Sequence, residues 1–296
     1  MSGSGVQPPP VRRSVRSGSL LTRCWRRSGW RVPMAVRGIS GDEQVFGRDR
    51  TASDVVSIDQ HSLRRSLILH LLPGALITVF FVAAVPVVRG LGFPSIMTLY
   101  LAVAFVLVPF QLGYLLYRAR HDDRSPGEMV DYREPVPRGQ FLLLVGGLFA
   151  WSGLIFVLVF PPLDDFFIDT AFSWVPALFF FDEDFGQYST TILIITWTVG
   201  LILNGFVGPI VEEIYFRGYL LPRISRFGSW APVLNTVLFS LYHFFTPWQN
   251  LSRIIWALPM IYATWWKRNI YLSMTVHVLS NVAGMLLLLL VFFGSV

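Results

Sequence analysis

The sequence contains one cysteine, Cys24, so no disulfide can close within a single chain and no cysteine cluster can hold a metal. It contains one lysine, Lys267, and its other cationic side chains, histidine aside, are arginines, a bias we read as base composition and not as chemistry. Charge itself is scarce: 14% of residues are charged, against roughly 25% in a soluble domain. With 53% hydrophobic residues and a mean hydropathy of +0.55, this shortage excludes an ordinary soluble globular protein and implies a polytopic membrane protein. Between Arg138 and Arg217 there is no arginine or lysine. There is no repeat of 20–50 residues, so neither a repeat array nor an inverted-repeat transporter is supported. His-Glu-x-x-His and Gly-x-Ser-x-Gly are both missing, which counts against a zinc peptidase of that type and against a serine nucleophile at Ser240 or Ser280.

What is present falls into two domains. Residues 1–60 are rich in Gly, Ser and Pro, with ten Arg up to Arg50, and are expected to be a disordered tail. No apolar stretch there is long enough for a signal peptide, and Met34 or a later codon is the expected start. The tail supplies most of the net charge of +6, which therefore says little about partners of the folded part. Membrane lipid is the expected surroundings, and no nucleic-acid partner is expected. Residues 61–296 read as an all-α transmembrane bundle of seven or eight spans, with the motif-bearing core at 190–290. The expected spans are Leu67–Val88, Ile96–Tyr117, Phe141–Phe160, Thr190–Val207, Trp230–Phe245, Ile254–Trp266 and Ile270–Phe293. Gly208-Pro209 is expected to break the fourth span from a helix over 209–226, which becomes the eighth if it dips into the bilayer. A short apolar stretch, Thr170–Phe181, inside the acidic segment 161–188 is expected in the interface. The Arg-rich loop 118–139 and the tail are placed on the cytoplasmic side, and the acidic segment outside.

The chemistry gathers near Glu212 and Glu213, two adjacent carboxylates at the end of an apolar run. Each charge at the centre of a span costs about 2.5–3.5 kcal/mol even on lenient insertion scales, so the pair needs a reason. Arg217 lies one helical turn beyond Glu213 and can pair with it, while Glu212 lies about 100° around the helix and stays free. Glu213 and Arg217 thus read as an orienting pair, with a snorkelling cluster at a helix end as the structural alternative. Of five histidines, His61 and His121 are expected to be solvated and His70 interfacial. His243, with Phe239 one turn before it, and His277, with Asn281 one turn after it, lie inside apolar runs, where ionisable groups usually face the bundle interior. Glu212 and His243 can share a water and draw its proton as it attacks a carbonyl. His277 and Asn281 can donate to the resulting oxyanion. Zinc on His, His and Glu is the rival reading, disfavoured by Arg217 beside the carboxylates.

Glu212-Glu213-x-x-x-Arg217, Phe239-x-x-x-His243 and His277-x-x-x-Asn281, in that order, together with the run Phe216-Arg217-Gly218-Tyr219-Leu220-Leu221-Pro222-Arg223, resemble the CPBP family of intramembrane glutamic endopeptidases, which includes CAAX prenyl proteases and bacteriocin-processing or self-immunity proteins. The resemblance covers about residues 190–290. It implies an intramembrane endopeptidase in the cell membrane that needs neither metal nor cofactor. Glu212 is then the general base, His243 its assistant, and His277 and Asn281 the oxyanion hole, with Glu213, Arg217 and Phe239 in support. The substrate is a peptide or protein, lipidated in the eukaryotic members. Two other functions compete: a non-catalytic immunity or scaffold protein of the same fold, and a small-solute transporter.

Overall fold

The computed structural model describes residues 58–176, 179 and 183–293. The expected tail and the question of its start lie outside these residues, except for residues 58–60. The described chain is helical, without strands, and eight helices carry it: α1 (Leu63–Gly90), α2 (Ser95–His121), α3 (Arg138–Leu158), α4 (Phe160–Asp169), α5 (Thr190–Leu220), α6 (Ala231–Leu241), α7 (Asn250–Lys267) and α8 (Ile270–Phe293). Five of them, α1, α2, α3, α5 and α8, are long and apolar enough to cross a membrane. Helices form where the sequence expects spans, although α6 is only 11 residues long and α7 only 18. The distribution of side chains is that of a protein in hydrocarbon. Leu143, Val157 and Leu287 face outward, while Gln111, Glu213, Arg217 and Asn235 are fully buried. This is an integral membrane bundle of the polytopic all-α class.

Two elements depart from expectation. α4 begins at Phe160, with Pro161 and Pro162 in its first turn, where a missing N–H costs nothing. The helix of the acidic segment therefore precedes the stretch Thr170–Phe181, whose described part, residues 170–176 and 179, forms turns. The second departure positions the site: Gly208-Pro209 does not break α5. The backbone stays helical through Val207, Gly208 and Glu212, because a π-helical turn, Leu201–Val207, widens the helix just before the proline. Such local adjustment is how membrane helices tolerate proline. The Gly208 N–H donates five residues back, to the Leu203 carbonyl. The next donor in that register would be Pro209, which has no N–H. The Asn204 carbonyl is thereby left for a partner from another helix.

The bundle closes around the second half of α5. Tyr215 Oη donates to the Leu69 carbonyl of α1 at 2.9 Å. Asn235 of α6 donates from Nδ2 to the Phe216 carbonyl and to His70 Nε2, both at 3.1 Å. His70 donates from Nδ1 to the Ser66 carbonyl at 2.7 Å and is fully buried, so it is not interfacial: a partner on each ring nitrogen satisfies it inside the bundle. His61 is not solvated either. It is 1% exposed, its ring packs on Tyr219 and its backbone N–H donates to the Arg223 carbonyl at 2.8 Å, because Gln60 ties the chain beside it to the Pro222 carbonyl and the Arg226 N–H. The 118–139 loop folds under the end of α5. There the Asp131 N–H bonds the Gly218 carbonyl at 2.8 Å, and Asp131 pairs with Arg223 at 2.9 Å. A Cβ on Gly218 would lie 2.7 Å from Val130, so this approach requires glycine. Gly74 of α1 is tighter still: a Cβ there would lie 1.7 Å from the Tyr242 carbonyl oxygen, which fixes α1 against the end of α6 at backbone distance.

Candidate active site

Because α5 is continuous, Glu212 and Glu213 lie deep in the bundle, and Arg217 is fully buried instead of snorkelling to an interface. The two carboxylates point different ways, as their 100° offset requires. Glu213 enters a closed network. Its Oε1 is 3.2 Å from Arg217 Nη1 and accepts from His277 Nδ1 at 2.9 Å, and its Oε2 accepts from Ser273 Oγ at 2.6 Å. Arg217 lies with its guanidinium carbon 3.9 Å from the centre of the Phe239 ring, a cation–π contact that covers its other face. Removing a charge from water costs several kcal/mol per ion, and for Arg217 the Glu213 ion pair and the Phe239 ring are what oppose that cost, since its guanidinium nitrogens make no hydrogen bond.

Glu212 faces a cavity of about 330 Å³, which is also lined by His243, His277 and Asn281. The four residues expected to carry chemistry, drawn from α5, the turn after α6, and α8, therefore meet at one void. His243 Nε2 is 4.0 Å from Glu212 Oε1, and His277 Nε2 is 3.8 Å from Glu212 Oε2. A water placed about 2.8 Å from both atoms of either pair would hold them at an angle of about 90°, so either gap accepts one. The tautomers follow from the outer partners. His243 donates from Nδ1 to the Phe239 carbonyl at 2.8 Å, which leaves its Nε2 lone pair on the Glu212 side. His277 donates from Nδ1 to Glu213, so a second proton, on Nε2, makes it an imidazolium between two carboxylates. Asn281 donates from Nδ2 to the Asn204 carbonyl at 2.8 Å, the acceptor left free by Pro209. One N–H of the same amide remains for the cavity. Phe239 thus supports both sides: its ring covers Arg217 and its carbonyl orients His243.

Other residues of the site were not foreseen. Tyr242 donates its hydroxyl to Glu212 Oε1. It stands next to His243 in an apolar run, and nothing in its spacing separates it from a packing aromatic. Ser273 had a legible signal, since it lies one helical turn before His277 on the same face of α8. Arg253 of α7 and Asn204 of α5 also line the cavity. Ser240 and Ser280 do not line it; Ser240 Oγ is committed to the Asn250 carbonyl at 2.7 Å. Among the described residues, no three His, Cys, Asp or Glu side chains converge as a metal site would require.

No curated protein and no solved structure matches the chain. A family model does, over a segment that contains Glu212, His243, His277 and Asn281. Residues 194–283 match the Rce1-like family, described as type II CAAX prenyl endopeptidase Rce1-like, which is consistent with the CPBP resemblance of the same segment.

Proposed function

We propose that the protein is a metal-independent intramembrane endopeptidase in which Glu212 activates water. The supporting observation is that Glu212 is the carboxylate of the pair that faces the cavity, while Glu213 is held by Arg217, His277 and Ser273. Glu212, with the Nε2 lone pair of His243 beside it, takes a proton from the bound water as the oxygen attacks the peptide carbonyl. The C=O electrons move to oxygen, and the oxyanion accepts from His277 Nε2–H and the free N–H of Asn281. Collapse of the tetrahedral intermediate breaks the C–N bond, and Glu212 returns its proton to the leaving nitrogen. The Tyr242 hydroxyl steadies the ionised form of Glu212 and fixes its rotamer. The aromatic and aliphatic wall opposite, including Phe156, Phe160, Leu99 and Val103, suits an apolar or lipidated residue of the substrate.

The test is cleavage of a pool of prenylated and unmodified membrane peptides by the purified full chain in detergent with EDTA present. Wild type is compared with Glu212→Gln and His243→Ala. Cleavage that survives EDTA and disappears in both variants is the expected result. Cleavage lost to EDTA and restored by zinc would replace the mechanism with a metallopeptidase one. Folded protein that cleaves nothing in a broad pool would favour a binding or immunity role.

A further inference from the structure

Among the described residues three arginines are buried, and two of them have acidic partners: Arg217 has Glu213 and Arg223 has Asp131. The third, Arg253, opens onto the Glu212 cavity. It is 7% exposed, and among the described residues no carboxylate lies within 4.0 Å of it. Its Nη2 donates to two neutral groups, Thr246 Oγ1 at 2.9 Å and Gln249 Oε1 at 3.0 Å. Its Nη1 has no hydrogen-bond partner. Asp164 of α4 is occupied nearby by Gln249 Nε2 at 2.9 Å and Ser252 Oγ at 2.8 Å. A buried guanidinium that lines a cavity, is held by neutral groups through Nη2 and has a buried, unpartnered Nη1 has no anion in contact with it, and the planar fork of N–H donors matches a carboxylate.

We propose that the guanidinium of Arg253 binds a carboxylate of the peptide substrate and so selects which peptides reach Glu212. This role rests on the peptidase reading. Two sources offer the same chemistry: the free C-terminus of the substrate, or an aspartate or glutamate side chain near the cut. Arg253 is a specificity residue in this scheme and takes no part in proton transfer.

The experiment uses one prenylated peptide sequence in three forms: free C-terminal acid, C-terminal amide, and C-terminal amide with a glutamate near the end. With wild type, kcat/KM for at least one carboxylate-bearing form should exceed that of the plain amide by about tenfold or more, the range of a hydrogen bond to a charged group. Arg253→Gln should reduce the ratio of kcat/KM for that form over the amide from about tenfold or more to about one. Arg253→Lys, which keeps the charge without the fork, should retain part of the preference. Preference for the free acid identifies the chain end as the anion, and preference for the glutamate form identifies a side chain. Equal wild-type rates for all three forms, or an equal loss on all three in Arg253→Gln, would overturn the proposal. Equilibrium binding of the same peptides, fluorescently labelled, to Glu212→Gln separates this inference from the peptidase reading. Tighter binding of a carboxylate form that Arg253→Gln removes supports the arginine's role even if wild type cleaves nothing. Cleavage without carboxylate preference supports the peptidase alone.

Discussion

Glu212 and Glu213 are neighbours in the chain and are both buried, yet they occupy opposite kinds of surroundings. Glu213 has each oxygen engaged by donors from α5 and α8. Glu212 is held by one tyrosine hydroxyl and otherwise faces two imidazole nitrogens at distances that admit water. A carboxylate with both oxygens engaged by side-chain donors and an arginine is held in place away from a reactant, so its role is to position. An under-coordinated one beside a cavity can accept a proton. The lesson is that burial alone does not identify a reactive acid; the count of its donors does.

The contrast is open to direct attack. Glu212→Gln should remove peptide hydrolysis by about 10³-fold or more, the scale on which loss of a catalytic acid–base group acts, with little change in thermal stability. Glu213→Ala should do the reverse first, lowering stability by about 3–5 kcal/mol because Arg217 is left as an uncompensated buried charge. Thermal unfolding in detergent reads both effects, and Glu213→Ala/Arg217→Met should recover part of the loss. If the two single variants behave alike, the division between reactive and positioning carboxylates is wrong. A smaller effect is expected at Tyr242→Phe, which removes the one hydrogen bond held by Glu212: kcat should fall about tenfold with folding intact. A loss of stability without that fall would make Tyr242 a packing residue.

The smallest expected effect lies outside the spans, at His61, whose burial together with nearby Arg65 and Arg223 pushes its pKa down to about 3 from the usual 6.5. Between those values the unfolded chain binds a proton that the folded chain does not. Stability supplied by a neutral His61 is therefore complete above pH 6.5 and is lost as pH falls toward 3, by at most about 1.4 kcal/mol per unit. His61→Phe should flatten this part of the stability curve relative to wild type.

Much of the site could be read before any coordinates, because its chemistry is of a kind that helical spacing reports. Glu213 and Arg217 are one turn apart, as are Phe239 and His243, and His277 and Asn281, and charge in an apolar run draws attention. The rest was hidden for separate physical reasons. Tyr242 is apolar by composition and acts only through the one hydroxyl that reaches Glu212. Pro209 reads as a helix breaker because the usual rule assumes α register, whereas the preceding π turn changes which carbonyl loses its donor. His61 reads as part of a polar tail because its burial depends on contacts with residues 219–226, far away in sequence. Arg253 carries a charge that spacing could have flagged, but its meaning depends on the absence of an acid, which only the packed bundle reveals.

The uninterrupted course of α5 also sets where the carboxylates lie in the bilayer. Its 31 residues extend about 46 Å at 1.5 Å each, against about 30 Å of hydrocarbon. Take the start of α5, Thr190, at one edge of the hydrocarbon. Glu212 then comes about 33 Å along the axis, or about 31 Å across the bilayer at an ordinary tilt of ~20°. With that placement the pair falls near the far edge of the acyl chains. Hydrophobic mismatch therefore bears directly on hydration of the cavity: thin lipid lifts Glu212 toward headgroup water, and thick lipid draws it under.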